Sequence, residues 1–138
     1  MIQIKGEQGE SILLEINGRK YPVSSNEWDI DFLKASVRAA ANGFTAHFNF
    51  LTRRTEILYL IEKLQSLSLF KERKINFNTI EDNLLLDLHV NDLGKIIWKI
   101  ELQYPDSYST KLIIHLENEI GSINVLIKEL EEALDNPQ

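Results

Sequence analysis

The sequence predicts an α+β domain, a two-layer sandwich in which an antiparallel β-meander carries a mid-chain helix and a C-terminal helix on one face. Three observations carry that expectation. Apolar and polar residues alternate along 33–51 around an Asn42-Gly43 pair. They alternate again along 84–104 around Asp92-Leu93-Gly94. Two other stretches, 53–68 and 120–134, show the 3–4 spacing of a helix. A length of 138 residues suits one domain, 1–138, and no repeat or low-complexity linker divides it.

Taken in order, the first structured segment is Ser11–Asn17, closed by a turn at Asn17-Gly18 and followed by a short extended piece, Lys20–Ser24. Asn26–Asp31 is an acidic, turn-like stretch holding Trp28. Leu33, Ala35, Val37 and Ala39 then form one apolar row, and Phe44, Ala46, Phe48 and Phe50 another. Asn-Gly favours a two-residue type I′ turn because both positions need positive φ. With Ala41 opposite Phe44, Val37 faces Phe48 and Ala35 faces Phe50, so both rows share one face.

The helix that follows buries Ile57, Leu60, Ile61, Leu64 and Leu67. Thr52 or Thr55 is its candidate N-cap, and neither has the acid or amide three residues later that a full capping box needs. Lys74–Asn78 is a short strand with Ile75 and Phe77 inward. Leu84, Leu86, Leu88 and Val90 form the next inward row, and a three-residue turn with Gly94 leads to Ile96, Trp98, Ile100, Leu102 and Tyr104. That turn sets Asp87 opposite Lys99. After the Pro105–Ser109 loop, Lys111–Glu117 turns Leu112, Ile114 and Leu116 inward, with Lys99 facing Glu117 and Glu101 facing His115. Ile120, Ile123, Ile127, Leu130 and Leu134 stripe the final helix, against an outer face of Lys128, Glu129, Glu131, Glu132 and Asp135. Pro137 stands past its end.

Composition narrows the function. The chain has no cysteine, so disulfides, Cys-based zinc sites and thiol nucleophiles are excluded, which fits a reducing compartment. Met1–Glu10, with Gly6, Glu7, Gly9 and Glu10, lacks the apolar core of a signal peptide, and no apolar run reaches membrane-spanning length. A cytoplasmic protein is expected. The net charge of −6 argues against nucleic acid and against an anionic membrane surface, and it suits steering toward a basic partner.

Catalytic signatures are missing. Neither a phosphate loop nor a Gly-x-Ser-x-Gly elbow occurs, and His47, His89 and His115 fall on the outward rows of separate strands. The carboxylates alternate toward solvent, so the chain is expected to have no catalytic residue, metal or cofactor and not to be an enzyme. Partner contact is the better expectation. In Glu27-Trp28-Asp29-Ile30-Asp31 an aromatic flanked by acids resembles an interface hot spot, or else Trp28 caps the core. Glu27, Trp28, Asp29 and Asp31 are therefore the first candidates, with Glu129 and Glu132 of the last helix second. Leu51, Leu85, Ile97 and Ile113 on the outward rows could also form a patch for homodimerisation, or be covered by the N-terminal strands.

These features occur in a familiar order. Glu27-Trp28-Asp29 precedes a hairpin with an aromatic second strand, Gly43-Phe44 through Phe50. A Thr-led helix with Glu56-Ile57 and Leu64 follows, then Leu84-x-Leu86-x-Leu88, a turn ending in Gly94, and a terminal Leu-rich helix. From Glu27 to Leu134 the layout resembles the WapI-type immunity proteins, cognate inhibitors of the toxin domains at the C-termini of large wall-associated or polymorphic toxins. Where an Asp-Gln-type start to the last helix would be expected, this chain has Glu117-Asn118-Glu119. The resemblance implies an immunity-like protein that binds and neutralises a toxin domain by occlusion, without catalysis. The alternative is a self-associating structural or regulatory module that uses its outward sheet face.

Overall fold

The computed structural model of the chain describes residues 1–21, 26, 30–106 and 109–135. Its most regular part is the hairpin of β3 (Phe32–Ala41) and β4 (Phe44–Arg53). All ten residues of each strand pair, from Phe32 opposite Arg53 to Ala41 opposite Phe44. Asn42 and Gly43 both have positive φ, 49° and 87°, as a type I′ turn requires. The inward row is buried from Leu33 to Ala39 and at Phe48 and Phe50. Phe44 departs from the expected row. It is 67% exposed, because the hairpin tip runs past the end of the core.

Two further strands extend this hairpin at its other edge. β1 (Ile2–Lys5) and β2 (Ser11–Arg19) form a second hairpin, with Ile2 opposite Leu14 and Lys5 opposite Ser11. β1 corrects the expectation that structure starts at Ser11. Its alternation, Ile2-Gln3-Ile4-Lys5, lasts four residues and is masked by the polar run that follows. Asn17-Gly18 is also not a turn. β2 runs on through both residues against β3, and the register shift between Ile16 and Gly18 makes the pair a bulge. Lys20 continues the pairing through its N–H to the Phe32 carbonyl at 3.0 Å, while positions 22–25 lie outside the described residues.

α1 (Arg54–Ser68) buries the expected five side chains, Ile57, Leu60, Ile61, Leu64 and Leu67. The chain then runs through β5 (Lys74–Asn78), β6 (Leu84–Val90), β7 (Lys95–Gln103) and β8 (Lys111–Glu119) to α2 (Ser122–Asp135), which adds Leu126 to its expected stripe. Asp87 does face Lys99. The β7–β8 register differs from expectation by two residues, so that Lys99 faces His115 and Glu101 faces Ile113. This register pairs all nine residues of both strands, whereas the expected one would leave two at each end unpaired. Glu101 consequently takes Lys99, its neighbour on β7, at 3.5 Å and Lys111 at 3.6 Å.

The meander is thus broken by α1 into two four-stranded antiparallel sheets, β1-β2-β3-β4 and β5-β6-β7-β8. The fold is α+β as expected, with two sheets in place of one. Each sheet turns one apolar face to a single core that also receives the stripes of both helices. No helix among the described residues is long and apolar enough to cross a membrane. The edge strands β1 and β8 meet. Glu7 donates its N–H to the Glu117 carbonyl at 3.0 Å, and the buried Asn118 joins both sheets. Its Oδ1 accepts from Trp98 Nε1–H at 2.9 Å, and its Nδ2 donates to the Lys5 carbonyl at 3.1 Å.

Two substitutions check this description. Gly43→Val forces a β-branched residue into positive φ and is expected to lower the denaturant midpoint far more than Asn42→Asp does. Asn118→Leu orphans the buried Trp98 N–H and removes a partner of the Lys5 carbonyl. The expected loss in equilibrium unfolding is about 1–3 kcal/mol for each group left unsatisfied.

Candidate partner-binding surface

Helix α1 starts one residue later than Thr52 as cap would set, and earlier than Thr55 would allow. Glu56, at its third position, accepts the N-cap N–H as in a capping box, which corrects the expectation of none. Its N-cap residue is Arg53, in extended conformation, and neither Thr52 nor Thr55 takes that position. The first N–H groups of any helix lack partners within it. Here Asp31, which directly precedes β3, supplies one. Asp31 Oδ1 accepts the Thr55 N–H at 3.1 Å, and Oδ2 accepts the Thr55 hydroxyl at 2.6 Å. Arg53 Nε lies 2.9 Å from Oδ2, and the same guanidinium sits over the Phe32 ring, 5.8 Å from its centroid. Glu56 completes the cluster, accepting the Arg53 N–H at 2.8 Å and the Thr52 hydroxyl at 2.9 Å. Burial pushes the Glu56 carboxyl above its ordinary pKa, outweighing the two hydrogen bonds and the Arg53 charge that act the other way.

Asp31 is therefore 9% exposed and committed on both oxygens, so it is a fold contact and not a free surface acid. Glu27, Trp28 and Asp29 lie outside the described residues. The residues flanking them are held together, since Ile30 donates its N–H to the Asn26 carbonyl at 2.9 Å. On α2, Glu129 is half-buried and accepts the Gln3 N–H at 3.0 Å, docking the helix on the edge of β1. Glu132 is exposed beside a depression of about 420 Å³ that also includes Met1, Ile16 and Glu15. Three of the six sequence candidates, Asp31, Glu129 and Glu132, fall among the described residues. Two of them hold the fold together, and Glu132 lies on the outer face of α2.

Some exposed features escaped the sequence. Phe44 and Tyr104 stand at a depression of about 360 Å³ between the β3–β4 tip and the β7–β8 end, where Phe48 meets Tyr104 edge-on at 5.9 Å. Alternation placed both residues inward, and only their position at strand ends could have signalled otherwise. The three histidines are exposed, as expected. His89 and His115 border one shallow depression on the outward face of the second sheet, with Lys74, Asp87 and Lys99. No group of three or more His, Asp or Glu side chains among the described residues could hold a metal ion.

The outward apolar patch is divided. Leu85 and Ile113 flank Glu101 with its two lysines, Ile97 sits by the Glu7–Glu10 turn, and Leu51 belongs to the other sheet. The first sheet's outward face differs in charge: Lys5, Lys34 and Arg38 are exposed there, with no ion-pair partner among the described residues.

Residues 3–137 match the model of the immunity protein WapI-like family. The chain belongs to that family. A comparison with curated proteins finds no match. Membership supports an immunity role and accounts for the whole described fold, since the match begins within β1 and extends past α2. In this WapI-like immunity protein the Asp31–Arg53–Thr55–Glu56 cluster ties the residue that precedes β3 to the start of α1, and both acids can be tested.

Asp31→Ala removes the surrogate cap and leaves Arg53 without its carboxylate. The expected cost is about 2 kcal/mol in a denaturant melt, at the upper end of cap losses. Glu56 contributes to pH dependence with the opposite sign to a salt-bridged acid. Its folded pKa is raised, so the folded state binds the proton more tightly, and its contribution to stability grows as pH falls from the raised value toward 4.5. Glu56→Gln keeps an acceptor for the Arg53 N–H, and it should cancel that gain when the two melts are compared across this window.

Proposed function

We propose that this chain is the immunity partner of a toxin domain. It acts in the cytoplasm, binding the toxin and neutralising it by occlusion with no chemical step of its own. The family match over nearly the whole chain is the observation that carries this reading. The net charge of −6 supports a basic toxin surface as the counterpart. Glu27, Trp28 and Asp29 are the proposed contact run. Glu132 offers a second acidic contact, on the helix that Glu129 docks against β1. Acidic side chains steer the encounter, and Trp28 supplies the apolar anchor that steering alone lacks.

Steering acts on the association rate and is screened by salt, the Debye length falling from about 10 Å at 0.1 M to about 3 Å at 1 M. Raising salt should therefore slow association with the toxin domain more than it speeds dissociation. Glu27→Lys combined with Asp29→Lys should slow association without changing the unfolding midpoint, measured by surface binding kinetics and denaturant melts. Asp31 is left intact because its loss unfastens α1. The direct test is co-expression with the toxin domain encoded beside this chain. Rescued growth and a complex at micromolar concentration are expected, and the absence of both would sink the proposal.

A further inference from the structure

Helix α1 ends in a Schellman motif, with Phe70 N–H donating to the Leu67 carbonyl at 3.0 Å and Lys71 N–H to Ser66 at 2.9 Å. The motif needs one residue in the left-handed region, and Phe70 takes it, at φ 58°. Glycine is the usual occupant because a Cβ there costs roughly 1–2 kcal/mol. The other non-glycine residues with positive φ among the described residues are Asn42, Asp82 and Asp106, whose short polar side chains tolerate the conformation. Phenylalanine does not share that tolerance. Packing does not repay the cost either, because Phe70 is 58% exposed and Leu69 beside it 63%.

The neighbouring cations complete the picture. Lys63 is paired with Glu72 at 3.1 Å, and Arg73 reaches the carbonyls of Val90 and Asn91 at 3.3 and 3.4 Å. Lys71 and Lys74 are exposed and have no ion-pair partner among the described residues. Two adjacent large apolar residues, one on a strained backbone, are thus exposed next in the chain to the uncommitted Lys71, with Lys74 following at the start of β5. Glycine would make the same two closing hydrogen bonds without the strain, so phenylalanine at this position points to a use outside the chain.

We infer that Leu69 and Phe70 are an anchor that enters an apolar pocket on the partner domain, where Lys71 and Lys74 meet carboxylates on the pocket rim. This deepens the toxin-binding reading and rests on it. An anionic lipid surface would also accept apolar and basic groups, but a body of net charge −6 with two free lysines at this corner is repelled by one. The partner pocket combines an apolar floor with an acidic rim, so it is separate from the basic surface that meets Glu27 and Asp29.

The test exploits opposite signs. Phe70→Gly relieves the backbone and should raise the unfolding midpoint of the full-length chain. The same change should speed dissociation from the co-encoded toxin domain at least about tenfold, as expected of a hot spot. Lys71→Glu with Lys74→Glu should slow association at low salt and have little effect at high salt. If a complex forms with the unaltered chain and Phe70→Gly dissociates from it at the same rate, this inference is overturned and the toxin-binding reading stands. No complex with the unaltered chain would overturn both. Binding to phosphatidylserine vesicles that is lost on Phe70→Gly would overturn the protein pocket as occupant.

Discussion

A single buried amide bonds to both sheets. Asn118 sits near the end of β8, where its oxygen takes the only donor of the Trp98 indole and its nitrogen reaches the backbone of β1. Trp98 is among the largest side chains fully buried in the core. Its position fixes the middle of β7, and so the inward row of the second sheet. The Lys5 contact then sets where β1 lies against β8. Polar groups in such a place specify an arrangement more than they stabilise it, because any other seating leaves the indole N–H or the amide unsatisfied. The surrounding contacts follow from this seating. Glu7 can reach both the Glu117 carbonyl and Lys95, whose ammonium pairs with it at 2.9 Å, because β1 already lies against β8.

A second polar cluster works at the opposite end. Asp31 and Thr55 are separated by 24 positions, and their contact ties the entry to β3 to the start of the helix that leaves β4. The start of α1 is thus fastened beside the entry to β3, at the point where the meander stops at β4. The raised pKa of Glu56 is a consequence of that geometry, since the carboxylate that serves the Arg53 N–H must be partly withdrawn from water.

Local signals made much of this visible in the sequence. The β3–β4 register was legible because a two-residue turn leaves a single pairing that puts both apolar rows on one face. The β7–β8 register was not, because a long loop fixes no pairing, and a slip of two residues preserves every face. Asn17-Gly18 has the composition of a turn, and only the pairing with β3 that continues on both sides of it makes it a bulge. The break into two sheets depends on where a helix is sent, which periodicity does not encode. The candidate site was legible as composition and illegible as geometry. Nothing local distinguishes Asp31 or Glu129, which serve backbone donors far away in sequence, from Glu132, which faces solvent. The exposure of Phe70 follows from a helix ending whose left-handed residue carries no sequence signature.

Each strand of the two sheets pairs only with its neighbours in sequence, so almost all ladder contacts are short-range along the chain. The contacts that close the molecule are different in kind: Lys5 with Asn118 spans 113 positions, and Gln3 with Glu129 spans 126. Loop closure over such separations carries the larger entropy cost, so these contacts are expected to be made last. During synthesis both meanders can assemble as they emerge, while the outer edge of β1 waits uncovered until the final helix arrives. For that interval the first sheet presents an open edge, and a chain stalled or truncated before α2 would be a template for pairing with other copies.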